Sequence, residues 1–99
     1  MDNVLTGKQK RFLRSLGSTL DPVVQIGKAG VIDSVVTSAQ DVIEVRELIK
    51  VRVLQNSPEE PKDAIAALAE AIDAELVQVI GRNGLLYKQN PEKSKIELP

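Results

Sequence analysis

The chain has 99 residues, of which 42% are hydrophobic and 27% charged, enough Val, Ile, Leu and Ala for one core and inconsistent with general disorder. It contains no cysteine and no histidine, which excludes disulfides, thiolate or imidazole metal sites and the usual general base. Formal net charge is only −1, yet it is unevenly spread. Residues 1–32 carry five basic and two acidic side chains, a balance of +3, whereas residues 33–99 carry eight and twelve, a balance of −4.

Thr6 is the expected N-cap of a first helix that runs to about Leu16, with Gly17 as its stop. At about 100° per residue Phe12, Leu13 and Leu16 share one arc, and Lys8, Lys10, Arg11 and Arg14 spread over the opposite one. No acidic residue between Asp2 and Asp21 neutralises that basic arc. Pro22 then opens a strand, Val23 to Ile26, at the position where its missing N–H does least harm.

Gly27-Lys28-Ala29-Gly30 follows as a short strand-to-helix loop bracketed by glycines. Glycine permits backbone angles closed to other residues and removes side chains that would hold a ligand off the main chain. The N-terminus of the next helix offers unpaired N–H groups and the positive end of a dipole, which favour an anion such as a phosphate. Lys28 adds a mobile cation at the tip. Taken alone, the motif reads more readily as a tight turn with a surface lysine.

Asp33 is the expected N-cap of the second helix, where its carboxylate would compete with a phosphate for the first N–H groups. Val35, Val36, Ala39, Val42 and Ile43 form the apolar stripe of that helix. Leu48 to Leu54 reads as a second strand with Ile49, Val51 and Val53 on one face and Lys50 and Arg52 on the other, as ordinary exposed residues. Ser57 and Glu60 fit a capping box for the third helix, although Pro61 fits its first position equally. That helix is expected to reach about Ala74 and to bury Ile65, Leu68, Ala71 and Ile72.

Leu76 to Ile80 and Leu85 to Lys88 are the last two strands, joined through Gly81-Arg82-Asn83-Gly84. Asn83-Gly84 predicts a type I′ turn, which needs positive φ at both central residues, and Arg82 should project from it into solvent as a further candidate phosphate contact. The tail from Gln89 to Pro99 is polar, holds two prolines and should pack loosely. The order α-β-α-β-α-β-β implies crossovers followed by a hairpin, hence an α/β chain folding as a two-layer α+β domain with a mixed four-stranded sheet packed by helices. No apolar run has the length of a membrane span and no secretory signal opens the chain, so a cytoplasmic location away from membranes is expected.

Four linked segments resemble one known family. Leu5-Thr6-Gly7-Lys8-Gln9-Lys10-Arg11-Phe12-Leu13-Arg14, Val24-Gln25-Ile26-Gly27-Lys28-Ala29-Gly30, Glu47-Leu48-Ile49-Lys50-Val51, and Ile80-Gly81-Arg82 with Leu86-Tyr87-Lys88 are similar in order and spacing to the CRM (chloroplast RNA splicing and ribosome maturation) domain in its bacterial single-domain YhbY-type form. Arg46 stands where the family commonly has histidine. The resemblance implies one CRM-like domain over residues 1–99, with a fold similar to the C-terminal domain of bacterial initiation factor three. It implies RNA binding through a GxxG loop like that of KH domains, and association with precursors of the large ribosomal subunit. Gly27, Lys28, Ala29 and Gly30 would then clamp the backbone, flanked by Lys8, Lys10, Arg11 and Arg14 on phosphates.

The expected partner is therefore ribosomal RNA or a pre-ribosomal particle, bound by a monomer that needs no cofactor and takes no small-molecule substrate. Aromatic content is 2%, Phe12 (expected to be buried) and Tyr87, so a sheet that stacks successive bases is excluded and contact should rest on phosphates, sugars and shape. A rival reading is a protein-interaction module whose basic helix docks an acidic protein surface. Enzymatic chemistry is not expected, because the chain has no phosphate loop of the GxxxxGK[ST] type and no clustered carboxylates in a plausible pocket.

Overall fold

The computed structural model describes residues 5–92 and 94–99. Asp2 of the charge balance and Lys93 of the tail lie outside the described residues. Seven elements follow in the expected order: α1 (Gly7–Gly17), β1 (Pro22–Ile26), α2 (Asp33–Arg46), β2 (Leu48–Val53), α3 (Pro61–Ala71), β3 (Glu75–Ile80) and β4 (Asn83–Tyr87). The sheet order is β1-β2-β4-β3, with β1 and β2 parallel and the other neighbours antiparallel. The β2–α3–β3 crossover thus leaves a gap between its two strands, which β4 fills.

Alternation along the strands sends apolar side chains to both faces. Ile49, Val51, Val53 and Leu86 join Val24, Ile26 and the stripes of α2 and α3 in the larger core. Leu48, Val77, Leu85 and Tyr87 point the other way and meet Leu5 and Leu13 around α1, with Leu20, Ile96 and Leu98 packed at the margin. The sheet with α2 and α3 makes the two expected layers, and α1 adds partial cover on the opposite face.

Local chemistry explains most of the boundaries. Thr6 caps α1 in a reciprocal box: its Oγ1 accepts from the Gln9 N–H at 3.1 Å, and Gln9 Oε1 accepts from the Thr6 N–H at 3.0 Å. Glu60, not Ser57, is the N-cap of α3 and Pro61 its first residue, where proline lacks only an N–H that would go unpaired anyway. That helix ends at Ala71, which is exposed, while Ala64 and Ala69 take buried places beside Ile65, Leu68 and Ile72.

Three further expectations are corrected. Gly17 is no stop signal but the last, buried residue of α1, where a Cβ would run into the Leu85 side chain. The β3–β4 turn is centred on Gly81 and Arg82, with positive φ on Gly81 (58°); Asn83 and Gly84 are already strand residues. Only the first central position is left-handed, which fits a II′-type hairpin rather than I′. Gly84 serves packing, since a Cβ there would lie 2.6 Å from Ile65 Cδ1. The tail is anchored rather than loose: Ile96 and Leu98 pack on the α1 side, and Gln9 Nε2 donates to the Pro99 carbonyl at 3.3 Å.

Glu47 holds that tail. It is the one charged residue in the buried set among the described residues, and it sits at the C-cap of α2 with φ of 66°. Its carboxylate accepts the backbone N–H groups of Asn90 (2.6 Å), Lys95 (2.6 Å) and Ile96 (2.9 Å). Burial alone would raise its pKa, but these N–H groups and the nearby Ser94 hydroxyl outweigh burial and hold it below the usual 4.5.

Candidate nucleic-acid interface

The Gly27–Gly30 loop closes on itself through a Gly30 N–H to Gly27 carbonyl bond of 2.9 Å, and the Ile32 N–H then turns back to the Gly30 carbonyl at 3.1 Å. The left-handed angle falls on Gly30, φ 78°, a conformation that an L side chain pays for sterically. Gly30 is buried against Pro58, which a Cβ would approach to 3.4 Å. Lys28 and Ala29 stand exposed between the glycines.

Directly after the loop, α2 begins without a side-chain cap. Its N-cap is Ile32, in extended geometry, and Asp33 is the first helical residue; its carboxylate does not cap the helix. The competition expected from Asp33 is therefore absent from the hydrogen bonding. The Val35 and Val36 N–H groups both reach the Ile32 carbonyl, at 3.0 Å each, which leaves the Asp33 and Ser34 N–H groups without an intrahelical acceptor. The helix end thus keeps two free backbone donors, and the loop before it exposes one lysine.

Arg82 does not project into solvent as expected. It is half-buried, and its Nη1 donates to the Leu54 carbonyl at 3.3 Å. The Leu54 N–H in turn donates to the Ile26 carbonyl at 2.8 Å, and the Val53 N–H to the Arg82 carbonyl at 2.7 Å. The hairpin turn thus braces the end of β2 against the residue that precedes the glycine loop. Lys88 is likewise engaged, its Nζ donating to the Ile72 carbonyl at the end of α3 at 3.0 Å.

The four cations of α1 divide into two pairs. Leu13 and Gly17 are the buried residues of the helix, so Lys10, Leu13, Arg14 and Gly17 form the stripe that faces the sheet. Lys10 and Arg14 are half-buried along it, whereas Lys8 and Arg11 are exposed. Phe12 is only half-buried and Leu16 is 38% exposed, both turned toward the tail rather than into the core. Tyr87 is buried, and its hydroxyl has no hydrogen-bond partner among the described atoms. Burial, aided by the Glu47 charge, raises its pKa.

Two cations read as ordinary surface residues lie on the same sheet face as α1. Lys50 and Arg52 lie on the sheet face that α1 only partly covers, Lys50 half-buried beside Arg14 and Arg52 exposed. Arg52 pairs with Gln25, three residues before Lys28 and so about 10 Å along the strand direction. A run of basic groups therefore leads from α1 across β2 toward the glycine loop. Asp33, Asp41, Glu44, Asp63 and Glu70 sit exposed on α2 and α3, where Arg46 and Lys62 are the exposed cations, so the helical layer is acidic in balance. The pattern legible in the sequence was period-2 alternation in β2; which face α1 would leave open was not.

An uncapped helix end thus follows an exposed GxxG loop, bordered by basic groups and set on a mixed four-stranded sheet. The model of the CRS1 / YhbY (CRM) domain matches residues 5–88. A Bacillus subtilis protein named probable RNA-binding protein YqeI is 49% identical over 96 residues, covering 97% of this chain and all of that one. A Haemophilus influenzae protein named RNA-binding protein is 37% identical over 95 residues, covering 96% and 95%. The solution structure of SAV1595 from Staphylococcus aureus, described as a candidate RNA-binding protein, superposes with a TM-score of 0.81 at 49% identity, over 97% of this chain and all of the other. The chain belongs to the CRM domain family.

Proposed function

We propose that this protein binds RNA by clamping the sugar–phosphate backbone in the Gly27–Gly30 loop, with Lys8, Lys10, Arg11 and Arg14 on flanking phosphates. Its target is ribosomal RNA in a precursor of the large subunit, and its role is assembly of that subunit in the cytoplasm. The observation that carries the reading is the exposure of Lys28 and Ala29 directly before the uncapped N-terminus of α2. Relatives named as RNA-binding proteins support it over nearly the full chain. Arg82 acts here as the brace of the loop rather than as a contact. With Tyr87 buried, recognition rests on backbone and shape rather than on stacked rings.

The test is binding to ribosomal precursor particles and their RNA by wild type and by a Lys28→Asp, Ala29→Asp double variant whose circular dichroism shows it folded. The variant should lose at least about tenfold in affinity, and four to six phosphate contacts should give a slope of log affinity against log salt of roughly −3 to −5. A folded variant that binds like wild type, or a slope near zero, would refute the clamp. A protein-docking reading has one observation of its own: Leu16, Val23 and Val45 are exposed around a groove of about 450 Å³ beside β1. Complexes that survive nuclease treatment would favour it.

A further inference from the structure

A second concavity lies on the basic face, away from the glycine loop. It is a groove of about 320 Å³ between the C-terminal half of α1 and the β3–β4 hairpin, with Arg14, Lys50, Gln78, Ile80 and Asn83 among its walls and no carboxylate in its lining. We infer that this groove is a subsite for one unpaired nucleotide of the bound RNA, with Arg14 and Lys50 on its phosphate, the Gln78 and Asn83 amides on its base edge, and the Ile80 side chain against the base.

Size selects one nucleotide rather than a duplex, since the volume lies at the low end of the roughly 300–1,000 Å³ usual for small-ligand sites. The wall chemistry selects RNA. Two cations in a lining that holds no carboxylate draw a phosphate, and two amides each offer a donor pair and an acceptor, the equipment that reads a base edge. Ile80 is 63% exposed at the end of β3, an apolar surface with no packing role in the core. Register keeps these groups together. Ile80 faces Asn83 across the hairpin, Gln78 faces Leu85, and Lys50 faces Leu85 from the other side. Arg52, opposite Asn83, continues the cationic path toward the glycine loop. Only two strand spacings, about 10 Å, separate β4 from β1, so one strand of RNA held at the loop reaches the groove within a few nucleotides. The subsite would give the protein a base preference that a backbone clamp alone lacks.

The inference rests on the RNA-binding reading, and the experiment separates the two. Fluorescence anisotropy with the full chain compares unpaired oligoribonucleotides of single-base composition with a blunt RNA duplex. Wild type should prefer unpaired RNA and one base over the others by about fivefold or more. Gln78→Ala and Asn83→Ala should flatten that preference while leaving the salt slope unchanged. Arg14→Gln and Lys50→Gln should instead weaken binding to every sequence and each reduce the slope by about 1. Amide-proton spectra of each variant check the fold. Wild type that binds RNA through the loop but shows no base preference, or keeps it in both amide variants, or binds duplex equally well, overturns the subsite and leaves the clamp standing. Wild type that binds no RNA overturns both.

Discussion

Replacing Glu47 is the sharpest probe of how this domain is held together, because one buried carboxylate joins α2 to the C-terminal tail. Hydrogen bonds to a charged group contribute about 1.5–3 kcal/mol each, so the three backbone bonds set a ceiling well above what the tail is worth. The loss stops earlier, since a released terminal segment lets its amides reach water. What then disappears is the docking of Ile96 and Leu98, two half-buried side chains, together with the charge-assisted part of the bonds. We expect Glu47→Ala to cost about 2–4 kcal/mol. Glu47→Gly loses the same carboxylate but relieves a φ of 66°, and should be about 1 kcal/mol more stable than Glu47→Ala. Urea midpoints give the energies, and hydrogen exchange at the Lys95 and Ile96 amides reports the tail. A loss below about 0.5 kcal/mol in Glu47→Ala, or protected tail amides in that variant, would refute the reasoning. The pH dependence has a fixed sign. The folded pKa lies below 4.5, so the stabilisation is present above 4.5 and disappears as pH falls through the lowered folded value. The gap between wild type and Glu47→Ala should therefore narrow in acid.

Gly30→Ala should cost about 1–2 kcal/mol, because it meets both a left-handed φ and Pro58, whereas Gly27→Ala, with ordinary space around its Cβ, should fall within about 0.5 kcal/mol of wild type. Equal losses in thermal unfolding would contradict the assignment of the left-handed position. Tyr87→Phe removes a buried hydroxyl without a described partner and should leave stability unchanged or raise it by up to about 1 kcal/mol; a clear loss in urea would mean that the hydroxyl is satisfied. Gly17→Ala forces a methyl into Leu85 and should destabilise by about 1–3 kcal/mol, despite alanine's better helix propensity. A stability gain would show that α1 can lift from the sheet at no cost.

The sequence by itself determined the order of elements, the strand faces of β2, the Thr6 start of α1 and the position of the glycine loop. These are local properties: side-chain period, capping chemistry and the backbone freedom of glycine act within a few residues. Turn chemistry was legible only in part, since Gly81-Arg82-Asn83-Gly84 holds two possible turns. The packing of Gly84 under Ile65, a contact far apart in sequence, places Gly84 in the strand and the turn at Gly81. The same holds for Gly17, a plausible stop whose use is close approach to Leu85. Only the tertiary structure decided that Arg82 and Lys88 are engaged with backbone carbonyls and that Lys50 and Arg52 border the open sheet face. It also decided that Glu47, one acidic residue among fourteen in the sequence, is the buried anchor of the tail. A charge carries no local signature of its partner. Burial and hydrogen bonding across 43 to 49 residues of chain give it one.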